Sequence, residues 1–165
     1  MRDDLRHFID VNMENGTPRY ELLGDGITAI TEEMNAEEET KQYIHQKNPT
    51  NQVKSYQRSF EVDKEDCADD HVQKWIDGLV DTLPVGKNAE TSYIRFRLKD
   101  EVESEIGKEY KAIKVPCTIT VVSAGGDAGD YVHNVISVKQ CGKQIEGTFD
   151  LLTKSFSYVP EPPIA

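Results

Sequence analysis

Ser92-Tyr93-Ile94-Arg95-Phe96-Arg97-Leu98 decides the fold class. Its side chains alternate with period two and draw on aromatic and β-branched types, the pattern of a β-strand. Ala112 to Val122 extends that reading downstream. It is rich in β-branched residues, and Pro116 within it predicts an edge or a bulge, because proline donates no ladder hydrogen bond. Gly125-Gly126-Asp127-Ala128-Gly129-Asp130 then reads as a turn and Val132 to Gln140 as a further strand. Lys143 to Phe149 and Lys154 to Val159 form a closing hairpin about Asp150 to Thr153. Upstream, Tyr20 to Leu23, the turn Gly24-Asp25-Gly26 and Ile27 to Ile30 read as strand, turn and strand. Val53 to Val62 adds another strand, ending at Asp63.

One segment breaks the β pattern. Val72, Trp75, Ile76, Leu79, Val80 and Leu83 recur at three- and four-residue steps, which place them on one helical face and predict a helix over about 67–83. Asp66 or Asp69 is the expected cap, and Pro84 and Gly86 end the helix. Seven or eight strands with one helix and no βαβ alternation predict a mainly β protein: a β-sandwich or open barrel of antiparallel strands with a flanking helix. No internal repeat is visible.

At 165 residues the chain fits one domain, expected over 17–159, with an N-terminal arm or short amphipathic helix over 1–16 and an extended C-terminal arm over 160–165. No apolar run reaches the roughly 18 residues that cross a bilayer, and Met1-Arg2-Asp3-Asp4 has no apolar signal core. The expectation is a chain made in the cytosol without membrane anchoring. A net charge of −11 argues against nucleic-acid binding, because affinity for phosphate rests on Lys and Arg displacing counterions.

Candidate chemistry is thin. Cys67 and His71 share zinc-ligand spacing, but no further ligands stand near them, and Cys117 and Cys141 are not spaced to complete a site. The histidines at 7, 45, 71 and 133 fall in no catalytic motif, and there is no Gly-x-Ser-x-Gly, phosphate loop or His-Glu-x-x-His. The expectation is a chain with no catalytic residue, metal or cofactor.

Thr31 to Arg58 stands apart. Glu32, Glu33, Glu37, Glu38 and Glu39 come first; Lys41, Lys47, Lys54 and Arg58 follow with no acid among them. A segment this long with few core-forming residues reads as a functional loop. Opposite charges on one loop offer a means of orienting a neighbouring copy.

Within this loop, Glu39-Thr40-Lys41-Gln42-Tyr43-Ile44-His45-Gln46-Lys47-Asn48 resembles the tail-tube proteins of long-tailed phages infecting low-GC Gram-positive bacteria. Leu23 to Thr28, Thr31 to Asn35 and Val53 to Tyr56 follow the same order. A weaker likeness runs through Val72 to Leu79, Ala89 to Thr91, Gly147 to Asp150 and Thr153 to Phe156, so that it spans roughly 17–158. The resemblance implies a sandwich with a flanking helix, hexameric rings, and rings stacked into a hollow conduit for DNA ejection. Its partners would be further copies of itself and tape-measure, tail-completion and baseplate proteins. Its place would be the virion tail, after assembly in the host cytoplasm. Glu37, Glu38, Glu39, Lys41, Tyr43, Ile44, His45, Gln46, Lys47 and Asn48 are the expected contacts between subunits or rings, with Tyr43 and Ile44 as buried anchors. A terminator or joining protein that stops at one ring is the alternative, and a soluble ligand-binding domain a more distant one.

Overall fold

The structure is a computed structural model that describes residues 1–13, 16–66, 70–102 and 108–158. The chain runs through β1 (Leu5–Asp10), β2 (Tyr20–Leu22), β3 (Glu37–Lys41), β4 (Thr50–Ser55), β5 (Ser59–Glu65) and α1 (His71–Thr82). It continues through β6 (Glu90–Val102), β7 (Glu109–Gly125), β8 (His133–Gln140), β9 (Ile145–Asp150) and β10 (Ser155–Tyr158). Among these strands every pairing is antiparallel.

The long pair β6 and β7 organises everything else. β7 has 17 residues, enough to carry two partners in succession on the side away from β6: Glu109 to Lys114 pairs with β9, and Cys117 to Gly125 with β8. Pro116 sits at the changeover. In an antiparallel strand the N–H and C=O of one residue point the same way, and the Pro116 carbonyl accepts from the Cys141 amide at 2.9 Å on the β8 side. The missing N–H therefore falls where no ladder needs it. Pro116 marks neither an edge strand nor a bulge but the point where a central strand changes partner.

Two curled layers result. One path runs β10-β9-β7-β6-β1-β2, and a branch runs from β7 through β8 to β5. Successive residues of β6 serve opposite cores. Tyr93 packs with Ile9, Phe60, Val62, Val115 and Ile136, a core that Val72, Ile76 and Leu79 of α1 also enter, with Trp75 and Val80 partly buried against it. Ile94 and Phe96 face the other way, onto Phe8, Tyr20, Tyr110 and Phe149. The rings of Phe8 and Phe149 lie 4.8 Å apart. Their strands, β1 and β9, are three strand spacings apart, which is about 14 Å in a flat sheet, so this layer curls around its aromatic cluster. Lys154 Nζ reaches Glu21 at 3.0 Å and ties the β9–β10 turn to β2 across the mouth of the curl.

The N-terminal expectation is corrected here. Leu5 to Asp10 is neither helix nor arm but a strand in the body of the sheet, between β6 and β2. Its sequence shows no alternation because both faces are covered, with Phe8 in one core and Ile9 in the other. Ile27 to Ile30 is no strand either; Ile27 makes a single bridge to Lys64. The run Val53 to Val62 is split between β4 and β5, with Tyr56 to Arg58 between them. Val159 and the arm expected over 160–165 lie outside the described residues.

Asp70, rather than Asp66 or Asp69, caps α1: its carboxylate accepts from the Gln73 amide at 2.7 Å. Asp69, like Cys67, lies outside the described residues. Leu83 leaves the helical face as a left-handed C-cap at φ 47° and is exposed. Lys64 is fully buried. Its ammonium donates to the Asp25 carbonyl and stands 3.5 Å from Asp70, joining the Gly24–Gly26 turn, β5 and the start of α1.

Gly147 in β9 pairs with Tyr158 of β10. A Cβ there would overlap the Ser157 carbonyl oxygen and come within 2.6 Å of the Phe156 ring. Gly147→Ala is therefore expected to destabilise the fold by about 1–3 kcal/mol through overpacking, read as a lower urea midpoint. A midpoint equal to wild type would show that β10 does not pack against Gly147 in this way.

Candidate assembly surface

The segment 31–58 is a built object rather than a loose loop. β3 and β4 form a two-stranded sheet of their own, with Lys41 opposite Thr50 and Glu37 opposite Ser55. Every residue of β4 is exposed, so this hairpin stands off the body and contributes no side chain to either core.

Its base is clamped. Glu33 and Ser59 exchange backbone hydrogen bonds at 2.7 and 2.9 Å, and the Gln57 amide donates to the Met34 carbonyl. Asn35, at φ 47°, donates to the Gln57 carbonyl and the Ser59 hydroxyl. Gln57 Nε2 donates to the Gln140 carbonyl, and Arg58 Nε to Gln144, so both β8 and the chain beyond it hold the hairpin's outgoing strand.

Beneath this clamp lies a buried ionic cluster centred on Glu32. Its side chain is only 4% exposed. It accepts from His7 Nε2 of β1 and from Arg58 Nη1 at 2.9 Å, and Arg95 Nε of β6 lies 3.0 Å away but off its N–H axis. Burial pushes the Glu32 pKa up, but the hydrogen bonds from His7 and Arg58 and the charge of Arg95 outweigh it, so the carboxyl stays below its ordinary range. Burial also lowers the Arg95 pKa. Sequence reading placed Glu32 in the acidic run and gave His7 and Arg95 no role. The legible signal was Arg95, a cation set between Ile94 and Phe96 in the strand.

The acidic half of the hairpin is largely satisfied within the hairpin itself. Glu39 bridges to Lys41 at 3.3 Å and to Lys54 at 3.0 Å, Glu38 accepts from Asn51, and Glu37 accepts from Ser55. The charge reversal along the sequence therefore first pairs β3 with β4.

The tip is held by its own polar groups. Gln42 Nε2 donates to the Gln46 carbonyl at 3.1 Å and to the Lys47 carbonyl at 3.3 Å, and the Gln46 amide donates to the Tyr43 carbonyl at 2.9 Å. Tyr43 and His45 stack at 6.2 Å. Ile44 points outward at 105% exposure and Tyr43 at 55%, so neither anchors anything within its own chain. His45, Lys47 and Asn48 are exposed beside them.

Elsewhere, His71 is exposed and its Nε2 lies 2.8 Å from the Arg19 guanidinium, which must be the donor. Cys117 is buried, and that burial pushes its thiol pKa up, whereas Cys141 is exposed. Among the described residues no group of three or more His, Cys, Asp or Glu could hold a metal. Among them, too, no helix is long and apolar enough to cross a membrane.

No family model matches the sequence, and no curated protein does. Solved structures do match the fold. A chain from the tail of an empty gene transfer agent particle, refined with C6 symmetry, aligns with a TM-score of 0.58 at 12% identity, covering 86% of this chain and 94% of that one. A chain from the virion of a native gene transfer agent particle aligns with a TM-score of 0.57 at 12% identity, covering 94% and 96%. The SPP1 tail tube aligns with a TM-score of 0.57 at 15% identity, covering 88% of this chain and 77% of that one. The antiparallel sheet with its flanking α-helix is thus the fold found in tail-tube structures.

Proposed function

We propose that the chain is a non-enzymatic structural subunit of a phage tail tube. It forms hexameric rings, and these stack into a hollow conduit through which DNA passes without specific binding. The observation that carries this reading is the extent of the likeness: the match with the gene transfer agent tail covers 86% of this chain and 94% of that one, so a whole subunit is shared rather than a local motif. The hairpin supports it. A preformed element with an apolar tip and no role in its own core is suited to contacts between copies. A head-to-tail contact that does not close on itself propagates as a filament. The net charge of −11 fits a lumen that does not retain DNA. Tape-measure, tail-completion and baseplate proteins would be its partners in a virion tail assembled in the host cytoplasm.

Negative-stain electron microscopy of the concentrated protein tests this directly. Tubes are the expected result, rings without tubes would favour a terminator or joining role, and single particles even with tail-assembly partners added would overturn the reading. Replacing Glu37 to Ser55 with a short linker is expected to leave the folded body intact by circular dichroism and to abolish tubes. Unchanged tubes would remove the hairpin from the assembly interface.

A further inference from the structure

The ionic centre on Glu32 spans a joint. Glu32 leads into the hairpin and Arg58 leads out of it, whereas His7 of β1 and Arg95 of β6 belong to the main sheet. Above the centre the hairpin is held by polar contacts: the exchange between Glu33 and Ser59, and the bonds of Asn35, Gln57 and Arg58. Neither core contains a carboxylate. Among the ion-paired carboxylates of the described residues, that of Glu32 is the least exposed. A proton taken up there acts on the joint rather than on either core.

We propose that this centre is a proton-operated joint: proton uptake by Glu32 frees the hairpin from the sheet while both cores stay folded. The charged and titratable groups around Glu32 are His7 from β1, Arg58 just before β5, and Arg95 and Tyr93 from β6, with Arg97 two residues beyond Arg95. Burial raises the pKa of Tyr93, and of Cys117 on β7 near it, so both stay neutral. Protonating Glu32 removes the carboxylate that the two guanidiniums share and leaves them close together with little water between them. Swinging the hairpin out carries Arg58 away from Arg95 and admits water to both, which relieves the repulsion without disturbing either core. The sign of the Glu32 shift sets the direction. Despite burial its folded pKa lies below the ordinary 4.5, so the joint is locked above that value and released as pH falls through the lower folded one. The loop that reads as an assembly element is thereby also one that acid can uncouple from the fold.

The test is residue-resolved amide exchange of the wild-type chain from neutral pH to below 4.5, expressed as protection factors so that the intrinsic pH dependence of exchange is removed. The amides of Glu33, Gln57 and Ser59 donate within the clamp and report the joint, whereas those of Ile136 and Val138 in β8 report the sheet. Protection at the three clamp amides is expected to fall by about tenfold, the equivalent of a one-unit pKa difference, while β8 keeps its own. Clamp protection that survives acid, or that is lost together with β8, would overturn the proposal. A second arm uses Glu32→Gln, in which the clamp should already be open at neutral pH and should respond no further to acid. A clamp that still opens with acid in this variant would assign the response to another group and contradict the proposal. Because the measurement is made on the single chain, its outcome is independent of whether the protein builds tubes.

Discussion

Glu32→Gln is expected to lower folding stability by about 3–5 kcal/mol, measured by urea unfolding at neutral pH. The substitution keeps the side chain's size but removes the carboxylate that Arg58 and Arg95 share, whose side chains are 16% and 15% exposed. Two cations would then be left close together with little water to screen them. The cost comes from that unpaired charge, and a buried ion pair as such need not stabilise a fold at all. The pH dependence follows from the sign of the shift. Glu32 has a folded pKa below its ordinary value of 4.5, so its contribution is fully present above that value and is lost as pH falls through the lower folded pKa. Wild type should therefore lose stability more steeply than Glu32→Gln as pH drops below about 4.5. Parallel slopes for the two proteins would show that Glu32 is not held as a buried carboxylate. Because Arg58 opens into β5 and Glu32 precedes β3, the variant should also loosen the hairpin's root. Amide exchange at Ser59 should then rise more than in β8 beside it.

Phe149→Ala is expected to cost a similar amount, about 3–5 kcal/mol, for a different reason. Phe149 is fully buried and contacts Phe8, Phe96 and Tyr20, with ring centroids 4.8, 5.4 and 6.1 Å away. Removing its ring leaves a cavity where the curled layer closes, and β9 is held by ladders to β7 and β10 that limit collapse. Against a total stability of about 5–15 kcal/mol such a loss is a large fraction, and a marginal domain would unfold. Phe149→Leu should lose less. A change within about 0.5 kcal/mol for Phe149→Ala, typical of surface positions, would mean that β9 does not curl over β1.

The two positions differ in how much their sequence disclosed. Phe149 lies in a stretch that reads as a strand on local pattern alone, and what it meets across the curl is a matter of tertiary closure. Glu32 reads as one more acid in a solvated run. Only the arrival of Arg95 from β6, Arg58 from the start of β5 and His7 from β1 turns it into a buried centre. Sequence separations of 25 and 26 residues to His7 and Arg58 leave no local trace. The same holds for β1, which carries no alternation because it is covered on both faces. For the tip, Tyr43 to Asn48 was distinctive as a string, but its place at the end of a free-standing hairpin depends on the pairing of β3 with β4 and on the clamp at Glu33, Asn35 and Gln57.

Period-two alternation and three- and four-residue spacing are local properties, and from them the sequence by itself determined a mainly antiparallel β protein with one helix after its first strands. Capping by an aspartate and termination before Pro84 were local too, although the capping residue proved to be Asp70. Tertiary structure decided which strands share an edge, that β7 changes partner at Pro116, that both faces of β1 and β6 are buried, and that a charge-rich loop is a rigid hairpin over an ionic cluster. The physical reason is common to all of these. Pairing, curling and burial are contacts between residues far apart in the chain, and their energies depend on desolvation and packing that no short stretch of sequence contains.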